Sequence, residues 1–159
     1  MEFILPCFVA LGLLYDNNRE EVSASYLKSQ EKTFHQRIAI CSKVATEADY
    51  SGVPPELAIS IALIESGFTN ARSKKGAKGP MGVMTKYHCP PKAKKCDLIK
   101  AGVRALVKVL KLRKSMCDSL AIYNAGLGGS CKGKGGNYAH TVLSIYKKLC
   151  AVTKRCQSC

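Results

Sequence analysis

The stretch that decides the fold is Val53-Pro54-Pro55-Glu56-Leu57-Ala58-Ile59-Ser60-Ile61-Ala62-Leu63-Ile64-Glu65-Ser66-Gly67. Proline is tolerated in the first turn of a helix, where its missing N–H would have no partner anyway, and Glu56 suits the positive end of the helix dipole. From Leu57 to Ile64 every residue is apolar or small. A helix that is apolar almost all round has no solvent face, so this one is expected at the centre of a helical core. Gly67 suits a left-handed C-terminal cap. Glu65 is then a carboxyl at the end of the most buried helix.

Helical spacing continues on either side. Residues 36–51 carry Ile38, Ile40, Cys41, Val44, Ala45 and Ala48 at helix period. Asp97 can cap a helix from Leu98 to about Arg113, with Leu98, Ile99, Val103, Leu106, Val107 and Leu110 on one face and Lys100, Arg104, Lys108 and Lys111 on the other. A shorter helix is expected near 117–124. A glycine-rich loop over 126–136 follows, and a last helix runs from about Tyr138 to Val152. No strand alternation and no repeat stands out. The predicted fold is mostly α, a single domain of about five to seven helices. A loop over 68–96, too long to be mere connection, lies between its two halves.

The chain has 159 residues, enough to bury a core as one domain. Its charge is lopsided. Residues 1–65 hold 5 basic and 9 acidic side chains, and residues 66–159 hold 20 basic and 2 acidic, Asp97 and Asp118. A surface with that excess is expected to attract polyanions such as nucleic acid, anionic lipid or acidic envelope polymers. It lacks the aromatic residues interleaved with charge that single-strand binding favours, so no specific nucleic acid is expected. Nine cysteines point to disulfides and an oxidising compartment. Cys89 and Cys96, flanking a short loop, are the plausible local pair. A zinc site using His88, Cys89, Cys96 or Cys156 and Cys159 is the rival, but it shows one tight ligand pair where a structural site usually shows two.

Residues 1–35 form an apolar N-terminal arm or leader with a linker. Phe3–Tyr15 has the apolar core of a secretory leader, and Val22-Ser23-Ala24 could end one. No Lys or Arg precedes the apolar run, however, and Asp16–Glu21 interposes charge. An arm packed on a partner or a membrane is the alternative. Residues 153–159 form a Cys-rich tail.

A carboxyl at the edge of an apolar core has its charged form disfavoured. A carboxylic acid that keeps its proton near neutral pH is what acid catalysis of glycoside cleavage needs. Around Glu65 the residues fall into a pattern. Glu65-Ser66-Gly67-Phe68, then Ser73, then Gly76-Ala77-Lys78-Gly79-Pro80-Met81-Gly82-Val83-Met84 resembles the first signature of the soluble lytic transglycosylase family. Tyr123-Asn124-Ala125-Gly126 resembles its second motif, and Tyr138 with Val142 its third. The resemblance covers roughly residues 38–150 with the motifs in order.

The resemblance implies a lysozyme-like domain over 36–152 that cleaves peptidoglycan without a cofactor or metal. It implies that Glu65 is the single catalytic carboxyl, that Ser73 contacts the muramyl sugar, and that Met84 lines the cleft floor. It further implies that Tyr123 hydrogen-bonds Glu65, that Asn124 holds the turn carrying Tyr123, and that Tyr138 walls the site. The implied substrate is the glycan strand of peptidoglycan. Small size, cysteine content and the segment 89–106 look like virion-borne phage members, which act in the host periplasm. A bacterial periplasmic enzyme serving a secretion or conjugation machine is the alternative setting. Virion or envelope-machine proteins are expected to meet residues 1–24. Lys74, Lys75, Lys78 and Lys86, with Lys92, Lys94 and Lys95, are expected to rim the cleft and attract anionic envelope polymers.

The chain departs from the family pattern at Gly82, where the family has Gln, and at Pro80, where it has Leu. The spacing from Glu65 to Ser73 is one residue short, and there is no Trp. A non-catalytic glycan-binding or structural module is therefore the competing class. Cys–His nucleophilic chemistry is weaker still, since His88 and Cys89 are adjacent rather than facing.

Overall fold

A computed structural model describes residues 3–15, 24–91, 95–112, 115–154 and 156, with backbone alone for 15 and 24–32. Lys92, Lys94, Cys159 and the candidate leader end at Val22-Ser23 lie outside the described residues. The described chain is mostly α: α1 (Ile4–Tyr15), α2 (Ala24–Tyr50), α3 (Pro55–Ser66), α4 (Thr85–His88), α5 (Leu98–Leu112), α6 (Met116–Ala125) and α7 (Gly136–Thr153). No helix among the described residues is long and apolar enough to cross a membrane.

Helix α3 is the hub, as its sequence requires. Residues Glu56 to Leu63 are buried without a break. They are sheathed by α1, α2 and α7, while α6 joins α7 to α5. Pro55 opens the helix, and Gly67 closes it in the left-handed region (φ 58°), its N–H donating to the Leu63 carbonyl at 3.0 Å. The Asp97 cap forms: its Oδ1 accepts from the Ile99 and Lys100 N–H groups, each at 3.1 Å.

The apolar N-terminal run takes up a place within the fold itself. Cys7, Ala10 and Leu11 are fully buried in the common core, and α1 packs on α2, α3 and α7. Cys7 is bonded to Cys41 of α2. Closing a loop of that length contributes about 3–4 kcal/mol in the chain-entropy account. Helix α2 is also longer than its apolar spacing indicates. It runs unbroken from Ala24, so the division at residue 35 falls inside a helix rather than at a linker.

Three further disulfides fasten loops to helices: Cys89–Cys96, the pair expected from spacing, then Cys117–Cys131 and Cys150–Cys156. Cys156 ties the tail back to α7. His140 Nε2 lies 3.7 Å from the Cys131 sulfur, beside Cys117. These sulfurs are bonded to each other, so they present no thiolate, the form that binds metal.

Candidate active site

Glu65 sits in the last turn of α3, half-buried, and the chain folds back over it. Two residues make the reversal. Gly67 and then Phe68 adopt positive φ (58° and 61°). For a bulky side chain that conformation costs about 1–3 kcal/mol. The Phe68 ring is held there by complete burial. Ser66 then staples the returning loop to the helix. Its hydroxyl donates to the Pro80 carbonyl at 2.9 Å and accepts from the Thr69 N–H at 3.1 Å.

The returning loop is a small antiparallel ladder. Lys78 and Val83 exchange backbone hydrogen bonds at 2.9 and 2.8 Å, and Arg72 bridges to Lys78. Residues Gly79 to Gly82 make the turn between Lys78 and Val83, closed by the Gly82 N–H on the Gly79 carbonyl at 3.2 Å. This turn drives Met81 into the core, fully buried, and lays Gly82 against the Glu65 carboxyl. A Cβ on Gly82 would stand 2.7 Å from Glu65 Cδ and closer still to Oε2, and its φ of +62° disfavours a side chain in any case. Glycine here, where the family pattern has Gln, is what this carboxyl position demands.

Two tyrosines complete the site, in roles different from those the resemblance implies. Tyr138, in the first turn of α7, donates its hydroxyl to Glu65 Oε1 at 2.7 Å. Tyr123, in α6, does not hydrogen-bond Glu65. It donates to the Met81 carbonyl at 2.8 Å. The α6 and α7 hydroxyls thus meet the site one residue apart in function, Tyr138 on the acid and Tyr123 on the backbone beside it. Tyr123 thus holds the carbonyl of Met81, the residue before the glycine that meets the carboxyl.

Burial pushes the Glu65 pKa above the usual carboxylate range, and the Tyr138 hydrogen bond offsets part of that rise. Burial, followed by the nearby Glu65 charge, pushes both tyrosines well up, so each stays a neutral donor. With Tyr138 occupying Oε1, a proton on Glu65 belongs on Oε2, the oxygen over Gly82.

The remaining expected residues are dispersed. Ser73 is exposed, and its hydroxyl accepts from the Ala77 N–H at 3.0 Å within its own turn. Met84 is half-buried at the start of α4, and the core methionine is Met81. Asn124 is exposed in the last turn of α6. The turn after it is closed by the Gly126 N–H on Ile122 (2.8 Å) and the Gly129 N–H on Gly126 (2.8 Å), not by Asn124. Lys74 and Lys75 are exposed in the Ser73 turn, and Lys86 lies over the Tyr87 ring at 4.6 Å.

Among the other described carboxyls, Asp49 is exposed near the end of α2 and buried Glu56 has no hydrogen-bond partner at its Oε1. Glu56 is nine residues before Glu65 on α3, about 13–14 Å along the axis. Asp97 caps α5. Asp118 is no free surface acid, since its Oδ1 accepts from the Cys131 N–H at 2.8 Å and ties down the glycine-rich loop. Glu47 and Asp97 face a separate cavity between α2 and α5.

Sequence reading missed two contributors, the Met81 carbonyl and the contact at Gly82. The signal for the second was present as a glycine in a motif where the resemblance expects a long side chain. No family model matches the chain, and no match to it was found among curated proteins or among solved structures.

Proposed function

We propose that this protein is a peptidoglycan lytic transglycosylase with Glu65 as its single acid–base group. The observation that carries the reading is a half-buried carboxyl with a raised pKa, one oxygen held by Tyr138 and the other lying over Gly82. The ordered motifs around Glu65, Tyr123 and Tyr138 support the same reading. A paired-carboxylate hydrolase needs two carboxyls about 5–9.5 Å apart. Glu56, the other acid of α3, is farther than that along the axis, Asp97 caps α5 and Asp118 holds the Cys131 N–H, which leaves Glu47 and Asp49 of α2 as the other acids with described side chains.

The chemistry balances with one carboxyl. Protonated Glu65 gives its Oε2 proton to the glycosidic oxygen between N-acetylmuramic acid and N-acetylglucosamine as the C1–O bond breaks. The carboxylate then takes the proton of the muramyl C6 hydroxyl, whose oxygen closes on C1. The product is a 1,6-anhydro sugar and no water is consumed. Glu65 ends the cycle protonated, as it began, so a raised pKa serves both halves. Tyr138 stabilises the carboxylate between the two transfers.

The glycan strand is the partner this reading requires, with the exposed lysines of the 73–86 loop attracting its peptide-stem carboxylates. Action in a periplasm, carried there by a virion or by a bacterial envelope machine, belongs to the same proposal. The test is release of soluble muropeptides from purified walls by the oxidised protein and by Glu65→Gln. Gln keeps the hydrogen bond from Tyr138 but carries no transferable proton. Activity in the wild type alone supports the proposal, and equal activity in both rejects it.

A further inference from the structure

A concave site lies between α4 and α5. It is a cavity of about 220 Å³ whose lining includes Tyr87, His88, Ala101, Arg104, Ala105 and Lys108. It shares no lining residue with the Glu65 site. The chain from Gly82 to Tyr87 spans at most about 18 Å, so the two sites are near neighbours.

The cavity is distinguished by its charge. The α2–α5 cavity mixes Lys43 and Lys100 with Glu47 and Asp97. The α4–α5 cavity carries Arg104, Lys108 and His88 and no carboxylate. Arg104 and Lys108 are four apart on α5 and so project from one face. His88 faces them from α4. Partial burial and then the Lys108 charge hold the His88 imidazole below its usual pKa, so it stands there as a neutral ring with one N–H to donate. Three donors of different geometry, a planar guanidinium, an ammonium and an imidazole N–H, can meet three oxygens of one anion. The buried Ala101 and Ala105 give the floor an apolar patch. One water needs only about 10–15 Å³ on the same measure, so the space has room beyond a bare oxyanion.

We propose that the α4–α5 cavity is a binding site for a phosphoryl group carried by a polyol or sugar, with Arg104, Lys108 and His88 on the phosphoryl oxygens and the carbon portion over Ala101 and Ala105. The tetrahedral dianion suits two permanent cations better than a single carboxylate does. The site does not rest on the wall-cleaving reading. It would tether the protein to a phosphate-bearing envelope polymer whether or not Glu65 turns over.

The experiment is an NMR titration of the full oxidised chain with inorganic phosphate and then glycerol 3-phosphate, reading the imidazole signals of His35, His88 and His140. The expected result is a saturable shift at His88 alone, with glycerol 3-phosphate the tighter ligand. Arg104→Gln and Lys108→Gln, both exposed on α5, should each weaken binding about tenfold, roughly 1.4 kcal/mol. Lys132→Gln, in the glycine-rich loop, should leave it unchanged. Absence of saturation at His88 overturns the proposal, as does an equal loss in Lys132→Gln, which would mean diffuse charge. Acetate binding as tightly as phosphate would overturn the phosphoryl assignment. An oligonucleotide shifting His88 at lower concentration than glycerol 3-phosphate would overturn the polyol or sugar assignment.

Discussion

The Tyr138 hydroxyl and the Glu65 carboxyl, 73 positions apart in the chain, meet in a 2.7 Å hydrogen bond that joins the last turn of α3 to the first turn of α7. It opposes the desolvation that raises the acid's pKa. Tyr138→Phe should therefore push the Glu65 pKa higher, carrying the pH profile of wall cleavage upward. The rate should fall roughly 10–100-fold, since the carboxylate formed after proton transfer loses its donor. Tyr123→Phe makes the comparison informative. It strips a donor from the buried Met81 carbonyl, costing about 1–3 kcal/mol of stability, and should move the pH profile less than Tyr138→Phe does. Activity against pH for the two variants, beside their denaturant midpoints, checks both statements.

Gly82→Ala places a methyl group on the Glu65 carboxyl at a backbone angle of +62°. Either the turn over 79–82 moves or the carboxyl does, and both change the acid's position. Expected are a loss of at least about 1 kcal/mol in unfolding free energy and a drop in wall cleavage much larger than that destabilisation alone would cause. Gly82→Gln, which introduces the residue of the pattern the segment resembles, should not give activity either. Full activity in Gly82→Gln would show that the acid works from a different rotamer.

The raised pKa of Glu65 has a stability consequence of definite sign. The folded state holds this proton more tightly than the unfolded chain does. The resulting stability is complete below the ordinary value of 4.5 and is lost as pH rises through the higher folded value. Gln cannot ionise, so Glu65→Gln escapes the loss. Urea unfolding at about pH 4 and about pH 8 should show the variant gaining on the wild type at the higher pH. A constant difference between the two proteins would mean the carboxyl titrates normally.

The Cys117–Cys131 disulfide and the Asp118 contact with the Cys131 N–H fix the glycine-rich loop that leads into Tyr138. A paired Cys117→Ser and Cys131→Ser replacement frees that loop from α6. Unfolding free energy should fall by about 3 kcal/mol, the value for a loop of this size. The Tyr138–Glu65 contact should loosen with it, lowering activity in the folded protein. Thiol titration of the denatured, unreduced wild type provides the control, with the eight paired cysteines reacting only after reduction.

The helical skeleton was legible because its signals are local. Pro54-Pro55 and Gly67 bracket α3, Asp97 caps α5, and apolar spacing marks the buried faces of α5 and α7. The start of α2 was not legible, because residues before 36 lack the apolar period that marks a buried face. The packing of α1 into the core was also hidden, since an apolar run reads alike whether a membrane, a partner or its own domain covers it. At the site, Glu65 announced itself by a charge at the end of an unbroken apolar helix. The exchange of roles between Tyr123 and Tyr138 could not be foreseen, since both lie within reach and only the crossing of α6 and α7 decides which hydroxyl meets the acid. The anchoring role of Asp118 is hidden for the same reason, as its partner is the backbone of a loop 13 positions on.

The chemical nature of the cleaved end tests the single-carboxyl mechanism most directly. Mass spectrometry of soluble products from purified peptidoglycan should show muropeptides ending in 1,6-anhydromuramyl sugar, lighter by one water than their hydrolysed counterparts, with none formed by Glu65→Gln. Products with free reducing ends would contradict the single-carboxyl mechanism, and the absence of any wild-type product would contradict the assignment as an enzyme.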